Sequence, residues 1–305
     1  MSQPRLPGRI VLVGNPASGR GRGARAIARV RALLERQGAA VEVRPTAGPE
    51  HAIALAREAA VAQVDLVLAL GGDGTVRDVA EGLGANEVPL AILPNGTGND
   101  LARTLGIPRD LDGAVEVALR GRERSIDVWQ WESTPFANVA GVGLDAAVAE
   151  AVNLRFRRLR GTLAYVTAFC FVLAHFQPFE ARLSWQEGEW YGRAWLLALA
   201  NARSYGGGLL IAPMAEPDDG TLDVVVVRET SKLELMRQFP RLARGSHVRH
   251  PAVRLFRGDI FRVETPGARA NDRPAPMTTL DGELIAATPA RVTRAPHRLR
   301  VRVPA

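Results

Sequence analysis

Gly71-Gly72-Asp73-Gly74-Thr75 follows directly on the run Val64-Asp65-Leu66-Val67-Leu68-Ala69-Leu70, and these two stretches decide the fold. The run is rich in valine and leucine with almost no polar alternation, the pattern of a strand buried on both faces of a parallel sheet. Open α/β sheets place ligands at the carboxyl ends of their strands, which is where these glycines fall. Thr75 opens a helix on which Val76, Val79, Ala80 and Leu83 share one face. The order strand, glycine turn with a carboxylate, helix amino terminus lets backbone N–H groups approach a phosphate, and the helix dipole favours the anion. The same five residues also suit an ordinary tight turn that needs only glycine's freedom.

Outward from this point the same unit repeats. Ile10–Val13 is a short buried-type strand that ends in Asn15-Pro16-Ala17-Ser18-Gly19, and a helix with Ile27, Val30 and Leu34 on one face follows. Val41-Glu42-Val43 leads to Thr46, and Pro49-Glu50 starts an alanine-rich helix. Leu90–Leu93 runs into Pro94-Asn95-Gly96-Thr97-Gly98-Asn99-Asp100. Strand and helix alternate over this region, so residues 1–127 read as a doubly wound α/β domain. Three strand ends carry glycine with Asn, Ser or Thr. In a parallel sheet such ends converge on one edge, which favours a nucleotide phosphate site over three unrelated turns.

The pattern changes after Ser125-Ile126-Asp127-Val128. Short strand-like runs at 136–140, 179–185, 193–200, 222–227, 253–256 and 260–263 indicate an antiparallel, β-rich domain over residues 128–295. Helical stretches interrupt it at 145–176, with a break near Gly161, and at 231–245. The last strand, within 296–305, is free to return to the first domain. Asp145 reads as a cap for a helix beginning at Ala146.

Composition narrows the function classes. The chain has 305 residues, 47% of them hydrophobic and 23% charged, a globular mixture with length for two domains. A formal charge of +7, nearly all from arginine, suits nucleotides, nucleic acid or an anionic membrane leaflet. Cys170 is the single cysteine, which excludes an internal disulfide, and the five histidines lack zinc-finger spacing. His247 and His250, beside Arg244 and Arg249, read as a solvated basic loop. The apolar run 162–176, about 15 residues, falls short of the roughly 20 that span a bilayer, and the start of the chain lacks a signal-peptide core. The expectation is a cytoplasmic protein, peripheral at the inner membrane face. Arg155, Arg157, Arg158 and Arg160 precede the apolar run, an arrangement suited to anionic lipid or to a core helix with a solvated lead-in. Nucleic-acid binding has no motif in its favour.

With its three glycine motifs in this order, the chain resembles the diacylglycerol kinase catalytic-domain superfamily, and within it the soluble bacterial YegS/DgkB-like lipid kinases. Asn138-Val139-Ala140-Gly141-Val142-Gly143-Leu144-Asp145, Pro217-Asp218-Asp219-Gly220-Thr221-Leu222-Asp223 and Asp281-Gly282-Glu283 extend the likeness over essentially the whole chain. The resemblance implies an ATP- and Mg²⁺-dependent kinase acting on a lipid hydroxyl such as that of diacylglycerol or phosphatidylglycerol. Its nucleotide would lie between a domain like those of NAD and diacylglycerol kinases and a larger β-sandwich domain. By the same resemblance Asn15, Pro16, Ala17, Ser18, Gly19, Thr46, Gly71, Gly72, Asp73, Gly74, Thr75, Val76, Arg77, Thr97 and Asn99 hold ATP. Asp281-Gly282-Glu283 supplies the carboxylate that accepts the hydroxyl proton, and Mg²⁺ sits at Glu216, Asp219 and Thr221. Position 77 departs from the motif, which usually carries asparagine there.

The chemistry also has support from the residue types alone. Phosphoryl transfer needs phosphate cradling, a divalent metal and a positioned base. Asp73 is a hard-oxygen ligand for a metal–phosphate complex. Glu283 or Asp281 is the base, with Glu283 preferred and Asp281 assisting. Asp281-Gly282 equally fits a plain hairpin turn, and Pro217-Asp218-Asp219-Gly220 is likewise turn-like. The rivals are an NAD kinase and a non-catalytic nucleotide or phospholipid sensor. The intact Asp281-Gly282-Glu283 argues against lost catalysis, and the segment from Asn95 to Asp100 favours lipid over NAD. The lipid's identity and the oligomeric state, including a homodimer, stay open at this level.

Overall fold

The computed structural model describes residues 6–48, 50–156, 159, 161–266, 276–285 and 288–305; Pro49, Arg157, Arg158 and Arg160 lie outside them. The chain divides into two compact units, Met1–Ile126 with Pro296–Ala305, and Asp127–Ala295.

The first unit is built on parallel strands β1 (Ile10–Gly14), β2 (Val41–Pro45), β3 (Leu66–Gly71) and β4 (Leu90–Pro94) in the order β2-β1-β3-β4. Every residue of β1, β3 and β4 is buried, as their unbroken apolar sequences require. Strand β2 alternates Val41, Glu42, Val43, Arg44 and ends on Pro45, the composition of an edge strand. Helices α1 (Ser18–Gly21), α2 (Gly23–Arg36), α3 (His51–Val61), α4 (Asp73–Leu83), α5 (Asp100–Thr104) and α6 (Leu111–Arg120) supply the remainder. Helix α2 buries Ala26, Ile27, Val30 and Leu34, and α4 buries Val76, Val79 and Leu83. The returning carboxyl-terminal segment pairs beside β4 in parallel, Val301 opposite Leu90. Register places Gly14 opposite Leu70 and Gly71 opposite Pro94, so the loops after β1, β3 and β4 leave the sheet at one level.

The second unit is antiparallel. The chain enters it along β5 (Arg122–Trp131), then β6 (Thr134–Phe136) and β7 (Val139–Gly143), which leads into α7 (Leu144–Leu154) and α8 (Gly161–His175). Strands β8 (Phe179–Trp185), β9 (Gly188–Ala200) and β10 (Leu222–Arg228) precede α9 (Lys232–Gln238) and two 3₁₀ turns at Phe239–Arg244 and Ser246–Arg249. Strands β11 (Val253–Gly258), β12 (Ile260–Glu264), β13 (Thr278–Leu280), β14 (Glu283–Ile285) and β15 (Ala290–Val303) complete the order. The long strand β9 is the hub, pairing with β7, β8 and β10.

Alternation along β9 and β10 divides their side chains between two cores, because successive residues point to opposite faces. Leu197, Leu199, Val224 and Val226 join Trp129, Phe136, Phe261 and Leu280 in one. Ala198, Ala200, Val225 and Val227 join Leu144, Phe169 and Leu173 in the other, beneath the helices. Helix α8 therefore packs Ala164, Ala168, Phe169 and Leu173 inward while Leu163 and Phe171 stay exposed. His247 is buried, its Nε2 3.0 Å from the Ile211 carbonyl. The neighbouring arginines had marked it as part of a solvated loop; burial within the unit overrides that local signal.

One polar residue holds this core together. Asn201 is 0% exposed. It accepts from Trp129 Nε1 at 2.9 Å and donates through Nδ2 to the carbonyls of Asp127 and Ala137 at 3.0 and 2.8 Å. Buried polar groups are costly when their partners are lost. Asn201→Ala is expected to lower unfolding free energy by about 2–4 kcal/mol in urea titration, whereas Asn86→Ala, at an exposed position just after α4, should change it by well under half of that.

Candidate functional site

In the first unit the three glycine loops are bonded to one another. Asp73 sits in the first turn of α4, two residues earlier than the Thr75 start expected from sequence, and Gly72 is its extended N-cap. Its Oδ2 accepts from the Asn99 N–H and its Oδ1 from the Asp100 N–H, each at 2.7 Å. Asn95 Nδ2 donates to Ser18 Oγ at 2.8 Å, which ties the loop after β4 to the loop after β1. Asn15 Oδ1 accepts from the Ala17 N–H at 2.9 Å. Glycine is obligatory at two of these positions. A Cβ on Gly96 would lie 2.4 Å from the Gly72 Cα, and one on Gly98 would lie 2.5 Å from Asp73 Oδ2.

The expected nucleotide residues divide by environment. Thr97 is exposed, and Asn15, Pro16, Ser18, Gly19, Gly72 and Gly74 are half-buried at the loop surface, with Ala17 exposed. Thr75 and Val76 are buried against the sheet, so Val76 acts through packing. Asn99 is buried and spends its side chain on the Gly96 N–H and carbonyl. The Thr46 N–H donates to the Gly14 carbonyl at 2.8 Å. Arg77 Nη2 is 2.7 Å from Asp78 Oδ1 in a largely buried pair, which directs part of its guanidinium to its own helix.

In the second unit Asp281-Gly282 forms the two-residue turn between β13 and β14, with φ of 50° and 88°. Positive φ at both positions is the primed hairpin geometry. The Asp281 carboxylate accepts from the N–H groups of Ala137, Asn138 and Val139 at 2.9, 2.9 and 3.0 Å. Asp281 thus fixes the hairpin against β7, while Glu283, the first residue of β14, is exposed. The hairpin turn that the sequence offered as one reading of Asp281-Gly282 is present.

Around Pro217–Thr221 the carboxylates already meet cations. Asp219 Oδ1 accepts from the Thr221 N–H and Oγ1 at 2.9 and 2.7 Å, and Oδ2 is paired with Arg257. Arg257 Nε also donates to Thr221 Oγ1 at 2.7 Å, and Glu216 is paired with Arg203. Asp127, 0% exposed, accepts from the Gly220 N–H at 2.8 Å with Arg294 3.7 Å away. Among the described residues no group of three or more His, Cys, Asp or Glu side chains is placed to hold a metal. A divalent ion on Asp219 would have to displace Arg257, so this donor set does not fit one as it stands.

Asp127 and Asn201 escaped the sequence reading, as did the surroundings of Asp145. The helix begins at Leu144, and Asp145 Oδ1 accepts from the adjacent Ala146 N–H at 2.9 Å. Burial pushes its carboxyl up to about 7, against the opposing effect of its backbone hydrogen bonds.

Comparison with known proteins gives this geometry its class. Residues 9–131 match the diacylglycerol kinase catalytic domain, and residues 138–303 match the YegS C-terminal NAD kinase beta sandwich-like domain. A diacylglycerol kinase of Mycobacterium tuberculosis is 33% identical over 302 residues, 96% of this chain and 94% of the relative. One from Bacillus subtilis is 31% identical over 78% of this chain and 79% of its own. A "Probable lipid kinase YegS-like" protein of Stenotrophomonas maltophilia is 32% identical over 88% of both chains. Two crystal structures of Bacillus anthracis proteins, one described as a diacylglycerol kinase, share the fold, with TM-scores of 0.81 and 0.74. They are 22% and 20% identical and each covers 99% of this chain, with 97% and 98% of their own lengths matched. The two domain matches together define a lipid kinase, a phosphotransferase that acts on an alcohol group. The chain belongs to the diacylglycerol kinase family, in its bacterial YegS/DgkB-like branch.

The Asp145 shift sets a pH dependence. Its folded value lies above its unfolded one, so between about pH 4 and pH 7 the folded chain binds more protons. Stability falls as pH rises through that window and levels off above it. The full effect is about 4 kcal/mol at 1.36 kcal/mol per unit. Asp145→Asn should raise Tm relative to wild type at about pH 8 and leave it little changed at about pH 4; scanning calorimetry at both values checks this.

Proposed function

We propose that this chain transfers the γ-phosphoryl group of ATP to a lipid hydroxyl of the diacylglycerol type. The observation that carries the reading is the bonded set of three loops at the carboxyl ends of β1, β3 and β4. The first-turn N–H groups of α4 have no intrahelical acceptor, as at any helix start, and face the developing charge of a phosphate well. Asn15–Gly19, Gly71–Thr75, Arg77 and Thr97 hold the nucleotide in this reading. Asp73 keeps the loops in register and contributes negative charge toward the metal that accompanies ATP.

Divalent metal, entering as Mg·ATP, supplies charge neutralisation on the phosphates. Glu283 accepts the proton of the lipid hydroxyl as its oxygen bonds to the γ-phosphorus and the bond from that phosphorus to the bridging oxygen breaks, with ADP leaving, and Asp281 positions Glu283 by fixing the hairpin. Glu216, Asp219 and Thr221 would join a metal site only with Arg257 displaced, and the reading routes no step through them. The names of the relatives support diacylglycerol as the acceptor class. Among the described residues no helix is long and apolar enough to cross a membrane. Exposed Leu163 and Phe171 on α8, with the Arg155 guanidinium 4.4 Å from the Phe171 ring centroid, support work at an anionic lipid surface on the cytoplasmic side.

Two substitutions test the roles. Glu283→Gln should lower kcat by about 10²–10⁴-fold with little change in the KM for ATP; equal losses in both would assign it a structural role instead. Asp73→Ala should abolish measurable turnover and, because two backbone N–H groups lose their acceptor, reduce stability by about 1–3 kcal/mol. A variant that melts early yet turns over at the wild-type rate would contradict its place in the site.

A further inference from the structure

The Pro217–Thr221 turn is where the resemblance places Mg²⁺, and its side-chain oxygens are engaged otherwise. Mg²⁺ takes bare oxygens at about 2.0–2.1 Å in a near-octahedral shell. Here N–H and O–H groups hold them instead. Asp219 Oδ1 accepts from the Thr221 N–H at 2.9 Å and from its hydroxyl at 2.7 Å, and Oδ2 is paired with Arg257 Nη2. Thr221 Oγ1, with its proton directed to Asp219, accepts from Arg257 Nε at 2.7 Å. Nε and Nη2 lie on one edge of the guanidinium. A single planar group therefore bridges Asp219 and Thr221, a fork that arginine has and a lysine lacks.

The sheet places this arginine. Arg257 on β11 stands directly opposite Asp223 on β10, with its Nε 3.9 Å from Asp223 Oδ1. Opposite charges that face each other across an antiparallel pair stabilise it. Asp223 is buried, which pushes its carboxyl up; Arg257 opposes that rise, and the charges of Asp219 and Glu216 add to it. The turn thus gathers the kind of negative charge that a divalent ion neutralises, and Arg257 is the cation among it. Two more guanidiniums stand around the same turn. Arg203 is paired with Glu216, and Arg294 Nη1 is 3.7 Å from Asp127 Oδ1. Arg294 also packs on the turn itself, since a Cβ on Gly220 would lie 2.8 Å from its Nη1.

We propose that Arg257 is this chain's built-in substitute for a structural divalent ion: its guanidinium ties the Pro217–Thr221 turn to β10 and β11, and the second unit keeps its fold with no metal at Asp219. Charge carried on the chain is not removed by chelation, whereas an ion at this turn would be. The need of the protein for divalent metal is then confined to the ion that accompanies ATP. This goes beyond the lipid-kinase reading and does not depend on which lipid is the acceptor.

Mn²⁺, a paramagnetic stand-in for Mg²⁺, tests this when titrated into the EDTA-treated, nucleotide-free, full-length chain, with bound ion read by electron paramagnetic resonance and Tm by scanning calorimetry. Wild type and Asp219→Asn should give the same titration, and chelation should leave the wild-type Tm unchanged. Arg257→Ala, which uncovers the carboxylate, should melt about 2–4 °C lower. It should also gain a Mn²⁺ site that disappears when Asp219→Asn is added, and filling that site should restore its Tm. Ion that binds wild type and is lost in Asp219→Asn overturns the proposal, as does a wild-type Tm that falls on chelation. An Arg257→Ala chain that melts like wild type, or that gains no Mn²⁺ site, overturns it too. Should Arg257→Ala fail to fold, the comparison of wild type with Asp219→Asn decides alone. Nucleotide and lipid are absent throughout, so every one of these outcomes leaves the phosphoryl-transfer reading standing.

Discussion

Two N–H groups, those of Asn99 and Asp100, converge on the Asp73 carboxylate, and the glycine loops of the first unit depend on that contact. It joins the first turn of α4 to the start of α5 and brings the glycine loops after β3 and β4 to a Cα approach that no side chain would permit. Charge-assisted hydrogen bonds of this kind are about twice as strong as neutral ones. The carboxylate is thus scaffold first.

The second unit solves a different problem with similar means. Strands β7 and β13 are buried throughout and β10 nearly so, while β8 and β12 alternate buried and exposed residues, and polar residues within the unit carry positional information where alternation is lost. Asn201 bridges Trp129, Asp127 and Ala137; Asp127 holds the turn at Gly220; Asp281 gathers three N–H groups of the segment entering β7. Asn201 and Asp127 are buried and Asp281 is half-buried, each with its partners in place, which is what makes the arrangement specific as well as stable. Glu283, exposed at the first position of β14, follows directly on the two-residue turn that this framework fixes.

The parallel sheet and its loops were legible in the sequence because unbroken Val/Leu runs followed by glycine have few other structural solutions. Gly71–Thr75 and Asn95–Asn99 announced loops at the carboxyl edge of the sheet for that reason. The register that brings them level depends on long-range pairing and was not readable. Thr75 as helix start was off by a turn's half, because glycine neighbours hide where helical hydrogen bonding begins. His247 was misplaced by its arginine neighbours, Asp145, read as a cap, lies inside the first turn of its helix, and Asn201 and Asp127 left no mark, since a buried polar group is recognised only by what surrounds it in three dimensions. The Asp219 turn shows the converse: a motif legible in sequence, whose carboxylate the fold has already paired with Arg257.

The measurement that bears most directly on the account is transfer of labelled γ-phosphate from Mg·ATP onto a panel of lipids in mixed micelles, with NAD present as a control acceptor. The account predicts label in a glycerolipid and none in NAD. Labelled NADP, or clear ATP binding with no transfer to any lipid, would contradict it.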